Sequence, residues 1–445
     1  MKVKLNKELK GIWNLSWPVI IGMLLQSLLS TVDMKFISMI GTSESAGASI
    51  SNSAVSVIFV MSALVASGTV AIVARAYGEG NEDEIKRIGS QSILLAGILG
   101  TAIGLICSWY TYEMLQGMFN PETSVLESAA AYLRIIFIGT VFVFVNNTIR
   151  SILQALGDTR TPLYIFGMAN ILNAILDPIF MFKLGYGVKG AAMATVISNV
   201  FAMLAIFYVY LSKVHHGQLI DYLNHGRIRF ADSLRILRIG LWSCLQQVSR
   251  PITGMIMFRI VSEVGNKEGI AAFGIGGQLF NYTFILLMGL TVAVSVMVGQ
   301  NLGRKDIERT EEIIREGMKV AIINMLIFAV PYMIFPRYII QFFLNDEKVI
   351  QLGIAYLRIV YIGVIFVIFP VIYGGAFQGA GDTFPPMVSS IFSNVFVKLP
   401  LAYFLAKNLG MGTDGVWWAI ALSVMVEAGM IWFYYHRGTW KTKKV

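Results

Sequence analysis

The chain has 445 residues, of which 56% are hydrophobic and only 14% charged, with a mean hydropathy of +0.68. About a quarter of a soluble domain is charged, so the composition excludes a string of soluble domains and points to a membrane protein. The net charge of +9 falls in particular connections between apolar stretches, where it sets topology rather than recruiting nucleic acid.

A bilayer crossing needs about 20 apolar residues. Cutting at polar and Gly/Pro-rich breaks predicts twelve spans, near 11–39, 46–77, 90–112, 128–156, 162–184, 188–211, 236–263, 270–301, 315–336, 350–378, 387–408 and 414–436. The first follows the basic MKVKLNKELK and runs about 28 residues. That is too long for a signal-peptide core, and no small-residue cleavage site follows it. Pro18, in SWPVI, removes a backbone hydrogen bond from this span. It reads either as an ordinary membrane proline or as a hinge that responds to Asp33, fifteen residues on. The polar runs GEGNEDEIKR and GRKDIERTEE read as solvated cytoplasmic loop-helices.

Basic residues alternate by side. Lys2, Lys4, Lys7 and Lys10 precede the first span; Arg75, Lys86 and Arg87 lie between spans 2 and 3; Arg150 and Arg160 lie between 4 and 5. Lys213, Arg227, Arg229, Arg235 and Arg238 occupy the centre, Arg304, Lys305, Arg309, Arg315 and Lys319 follow span 8, and Arg437, Lys441, Lys443 and Lys444 form the tail. The opposite connections ISMIGTSESAG and TYEMLQGMFNPETSVLESAA carry no base, so both termini are expected in the cytoplasm. Cys107 and Cys244 lie in apolar stretches without disulfide or metal spacing. His215, His216, His225 and His436 sit in polar connections, and no acidic partner or ligand spacing marks them as metal ligands.

An internal repeat organises the rest. AYLRIIFIG at 131–139 returns as AYLRIVYIG at 355–363, with seven identities in nine at an offset of 224. QALGDTRTP at 154–162 returns as QGAGDTFPP at 378–386, and Gly41 pairs with Gly265 at the same offset. Residues 1–212 and 236–445 are therefore expected as two six-helix lobes, joined by a polar linker at 213–235. Six is even, so the copies are parallel, related by an axis along the membrane normal, as in alternating-access transporters. The repeated Gly-Asp-Thr turns are expected to cap the following helices. Arg134 and Arg358, at matching places, are expected to be scaffold.

Inside the apolar stretches, Asp33 and Asp177 lie six or seven residues from the outer ends of spans 1 and 5. Thr195 lies seven residues into span 6, so the three share a depth of about 10 Å, with Tyr132 close by. Asn170, Asn173 and Asp177 fall on one helical face. At the repeat offset Asp33 becomes Met257, Tyr132 Tyr356, Asp177 Leu401 and Thr195 Ala419. Both acids are missing from the second copy while scaffold positions survive, which argues for function. Two adjacent desolvated carboxylates resist ionising together, which suits proton uptake and release; with Asn, Thr and Tyr oxygens they would also suit Na⁺. Glu427 in span 12 is a further intramembrane acid, a candidate second coupling or substrate-cation site. The 22 methionines and 28 phenylalanines also suit a promiscuous apolar cavity.

With SWPVIIGMLLQSLLSTVDMKFISMIG, VARAYGEGN, QALGDTRTP, NAILDPIF and the GAGDT copy in view, the chain resembles the multidrug and toxic compound extrusion (MATE) family over its whole length. It is most similar to the DinF-like branch, including archaeal members. The resemblance implies an all-α polytopic protein of twelve transmembrane helices in two parallel six-helix bundles. It implies multidrug efflux by cation-coupled antiport, driven by H⁺ or Na⁺, of amphipathic and cationic organic compounds. It places coupling at Asp33, Tyr132, Asn173, Asp177 and Thr195, with Asn147 as a further member and Pro18 as the bend. The branch with an acid in helix 7 does not fit, because GLWSCLQQVSRP offers Gln246 and Gln247 instead. No enzyme motif, resident cofactor or nucleic-acid partner is expected; the protein is expected to act as a monomer in the plasma membrane. A lipid-linked oligosaccharide or lipid flippase of the same superfamily is the alternative, kept open by Arg250 and Arg259.

Overall fold

In hydrocarbon every backbone N–H and C=O must be satisfied within its own segment, so long apolar runs become helices. The computed structural model describes residues 7–119, 122–226 and 229–443, all helices and connections with no strand among them. Lys2, Lys4, Arg227 and Lys444 lie outside the described residues.

The first copy comprises α1 (Lys7–Ser38), α2 (Thr42–Glu79), α3 (Glu82–Trp109), the short α4 (Thr111–Phe119), α5 (Thr123–Ile138), α6 (Thr140–Ala155), α7 (Arg160–Pro178) and α8 (Val188–Val214). Helices α5 and α6 form one span bent by 49° at Gly139, and α7 ends in a π-helical turn, Ile179–Lys183. A short α9 (Leu219–His225) follows. In the second copy α10 (Phe230–Gly303) is two helices interrupted at Asn266, whose φ of 51° and ψ of −154° are not helical. Then come α11 (Ile307–Ile334), α12 (Pro336–Phe343), α13 (Glu347–Val364), α14 (Ile368–Gly379), α15 (Phe384–Ile391), α16 (Leu399–Tyr403) and α17 (Gly412–His436). With α10 counted as two spans, and the pairs or trios α5–α6, α13–α14 and α15–α16 as one each, the described residues contain the twelve expected crossings.

The repeat survives in detail. After α2 and after α10 a left-handed residue, Gly80 (φ 71°) or Lys305 (φ 60°), ends the helix. Asn81 or Asp306 then caps the next one, its side chain accepting from Glu84 N or Arg309 N. The polar runs read as loop-helices are thus the capped first turns of α3 and α11.

The repeated AYLRI…G segment also has a physical reason. A Cβ on Gly139 would meet Val196 Cγ2 at 2.6 Å, and a Cβ on Gly363 would meet Ala421 Cα at 2.4 Å. In both copies the absence of a Cβ lets the fourth span approach the sixth this closely. The Arg134 side chain lies over the Tyr112 ring at 4.8 Å.

The chain forms two compact units. One is Pro18–Gly240; the other joins Leu241–Val445 with the stretch ending at Trp17. The division therefore falls inside α1, at Trp17–Pro18, although α1 stays helical through Pro18. The connection after α8 packs within the first unit: Asp232 pairs with Arg87, and Arg235 with Glu84 at 2.8 Å.

Candidate functional site

In the unit Pro18–Gly240, α1, α2, α5, α6, α7 and α8 enclose a cavity of about 280 Å³. Pro18, Asp33, Tyr132, Asn147, Asn173 and Thr195 all line it. Asp177 is fully buried and adjoins Asp33 and Asn173 rather than the cavity wall. Asn173 and Asp177 lie one turn apart on α7, so Asn173 Nδ2 donates to Asp177 Oδ1 at 3.2 Å. The Asp33 and Asp177 carboxyl groups come within hydrogen-bonding reach of each other across α1 and α7. The Tyr132 hydroxyl is in reach of Thr195, whose own hydroxyl donates to Ala191 O at 3.0 Å. Asn147 is turned to α2 instead, donating to Ser62 Oγ at 2.7 Å.

One oxygen of each carboxyl, Asp33 Oδ1 and Asp177 Oδ2, is buried with no donor. A buried acceptor without a partner costs about 1–3 kcal/mol, and more if charged. A proton shared by the pair, or a hard cation among the Asp33, Asp177, Asn173 and Thr195 oxygens, supplies what is missing. The residues present therefore fit either a proton or Na⁺.

Some lining residues carried no signal of their own in the sequence. Arg150, read as a loop base, is a residue of α6 on the cavity wall, with its guanidinium 5.9 Å from the Phe166 ring centre. Gln26, Asn146, Gln154 and Asn199 also line the cavity. Arg259 stands exposed near the end of the first helix of α10, paired with Glu263 at 3.4 Å.

Two further clusters lie outside the spans. The Asp158 carboxyl of the first Gly-Asp-Thr turn accepts from Thr161 N at 3.0 Å and pairs with Lys213. Burial pushes this carboxyl up, but the Lys213 ammonium and the Thr161 bonds outweigh it and hold it below its usual range. The capping role is filled by Asp158 rather than Thr159. In the second copy the matching Asp382 pairs with Lys443 at 3.0 Å.

The other cluster is His215, Asp221 and His225, whose ligand-type atoms all lie within 4.8 Å of one another. The acidic partner not evident in sequence is Asp221, brought back by α9. Its Oδ2 is engaged by His215 Nδ1 at 2.8 Å and by Lys86 at 3.2 Å, so a metal would displace a cation already in place. Burial pushes the His215 imidazole below its ordinary value, and its hydrogen bond holds the Asp221 carboxyl low.

Comparison with known proteins matches this architecture. The MatE family model matches residues 18–179 and 243–404, one match to each copy. A probable multidrug resistance protein NorM from Thermotoga maritima is 25% identical over 98% of this chain and 94% of its own length. A protein named FAD transporter from Shewanella oneidensis is 25% identical over 91% of this chain and 88% of its own. A crystal structure of MATE in the bent conformation superposes with a TM-score of 0.90 at 25% identity, covering 98% of this chain and 97% of that one. The chain belongs to the MatE family and is a membrane transporter, not an enzyme.

Proposed function

We propose that this protein is a secondary active exporter of organic compounds, driven by H⁺ or Na⁺ taken up at the Asp33–Asp177 pair. The observation that carries the reading is the pair of orphaned, buried carboxylate oxygens beside a polar cavity, in one copy of a duplicated fold. A cavity of about 280 Å³ is at or below the low end for drug-sized ligands, about 300–1,000 Å³. It suits an ion, its water and at most part of a substrate. Similarity to a probable multidrug resistance protein supports multidrug efflux, and we take amphipathic and cationic compounds as its substrates.

Neutralising the carboxyl pair removes the repulsion between them and lets α1 repack against α7. Pro18 leaves one carbonyl of α1 without its helical donor, so bending there is less costly than elsewhere. Coupling requires the ion and the exported compound to favour different states by at least a few kcal/mol. The alternation of basic connections supports cytoplasmic termini in a plasma-membrane protein, and our reading adds a monomer of the DinF-like branch.

The test is ethidium transport by the purified protein in proteoliposomes, with pH and Na⁺ gradients imposed separately. One gradient should drive ethidium against its own gradient and the other should not. Ethidium movement that is indifferent to both would overturn ion coupling.

A further inference from the structure

The second unit holds a buried charged cluster that the coupling site does not use. In the first helix of α10, Arg250 Nη2 lies 3.5 Å from Glu427 Oε1 of α17. That contact is too long for a hydrogen bond, and Glu427 Oε1 is buried without a donor. Lys398, on the eleventh span, is within electrostatic reach of both groups. Its ammonium donates to Asn394 Oδ1, and Asn394 Nδ2 donates to Ser390 O at 2.8 Å. Ser390 Oγ in turn meets Ser249 Oγ at 3.4 Å, which ties the eleventh span to the helix bearing Arg250. The cluster sets two basic side chains against one carboxylate, and of the two only Arg250 lies within 4 Å of it. Glu427 is thus not an isolated acid awaiting a cation, and the expectation of a second cation site there is not supported.

Three observations say that this place is built to receive something. First, a charged side chain within a span is costly and marks a ligand path by default; the Arg250 side chain is 34% exposed, so the cluster is reachable. Second, the repeat puts it where the first copy has its cavity: Arg250 and Asn394 stand 224 residues after Gln26 and Asn170, both cavity-lining. Third, Phe392–Lys398 is a π-helical turn, whereas the matching residues of the first copy lie in regular α7. The other π turn of this span, Phe404–Asn408, has its counterpart in Ile179–Lys183. The extra turn therefore belongs to the copy with the cations and holds both Asn394 and Lys398. Alongside, the Arg250 guanidinium lies 5.0 Å from the Phe284 ring centre, and Phe284 stacks on Phe280 at 5.6 Å.

We propose that Arg250 and Lys398 bind the oxyanion, a carboxylate or a phosphate, of an aromatic substrate whose ring lies against Phe284 and Phe280. The bidentate guanidinium suits either oxyanion. Glu427 holds Arg250 in place and sets a threshold, since an entering anion competes with it. This deepens the export reading by naming one substrate class, and it rests on that reading for its biological use.

Binding is measured on the purified full-length protein in detergent, without gradients, so the result stands apart from the outcome of the transport test. Carboxyfluorescein anisotropy reports the carboxylate arm; competition by 4-methylumbelliferyl phosphate reports the phosphate arm. Arg250→Gln and Lys398→Gln should each weaken binding at least ~tenfold, while Arg250→Lys, which keeps the charge but loses the bidentate fork, should fall between wild type and Arg250→Gln. Glu427→Gln should tighten binding, because it removes the competing carboxylate. A purely structural ion cluster predicts the opposite for Glu427→Gln, as an unpaired cation loosens the fold. Equal affinity in wild type and Arg250→Gln, weaker binding in Glu427→Gln, or no binding of either probe by wild type would overturn the proposal.

Discussion

The two copies of the six-span unit share their scaffold and differ in their charges. Both use a left-handed residue and an Asn or Asp cap to start the third span. Both use a glycine where the fourth span meets the sixth, and both tie their Gly-Asp-Thr turn to a lysine, one in the last turn of the sixth span and the other in the tail after it. Within the spans, however, the first copy places two adjoining acids toward one end, and the second places an arginine against one acid with a lysine in the same cluster. Duplication supplies the framework twice, and burial cost then permits charge only where a partner or ligand offsets it. The contrast separates what holds the fold from what the fold carries.

The largest expected effect is on the first copy's acids. Asp33→Asn or Asp177→Asn keeps the size and loses the charge, so gradient-driven ethidium transport should fall to the level of protein-free liposomes. Expression and thermal midpoint should hold or rise, since a buried orphan charge has gone. Gradient-driven transport at the wild-type rate in both variants would erase the functional distinction between the copies.

A second test asks whether the shared scaffold is equally tight in both copies. The obstacle to a Cβ at Gly363 is the Ala421 backbone, at 2.4 Å, whereas at Gly139 the nearest obstacle is a Val196 methyl, at 2.6 Å. A side chain yields more readily than a helix backbone. Gly363→Ala should therefore cost about 1–3 kcal/mol, and Gly139→Ala distinctly less, read as thermal midpoints in the same detergent. Equal costs would mean that the helices, not the side chains, give way.

How much of this was legible in the sequence depends on the range of the interaction. Span number follows from apolar length, and the duplication from AYLRI and GDT at one offset, because both are local patterns. Asp33 and Asp177 stood out because an acid in an apolar helix needs a reason wherever the helix goes. Lys398 is as visible by that criterion, but its grouping with Arg250 and Glu427 requires three helices brought together. Arg150 was misread because a count of bases by side assigned it to the connection after the fourth span, although the apolar cut at 128–156 already held it within that span. The break at Asn266, by contrast, falls in the 264–269 gap where the polar cut had already divided the seventh span from the eighth. The acidic partner of His215 lay six residues away, hidden until α9 turned the chain back.

The smallest expected effect lies in the lysine ties. Lys213 pairs with Asp158, whose carboxylate also accepts from Thr161 N, and Lys443 pairs with Asp382, which is only 7% exposed. Exposed pairs contribute about 0–1 kcal/mol, so Lys213→Met should cost a few tenths. Lys443→Met should cost more, because it strands the more buried acid. The Asp158 carboxyl is held below its usual range, so its pairing stabilises the fold above about pH 4 and is lost as pH falls through the lowered value. The thermal-midpoint gap between wild type and Lys213→Met should accordingly close on acidification. A gap that persists in acid would mean that Lys213 acts through the packing of its methylenes on α8 and not through Asp158.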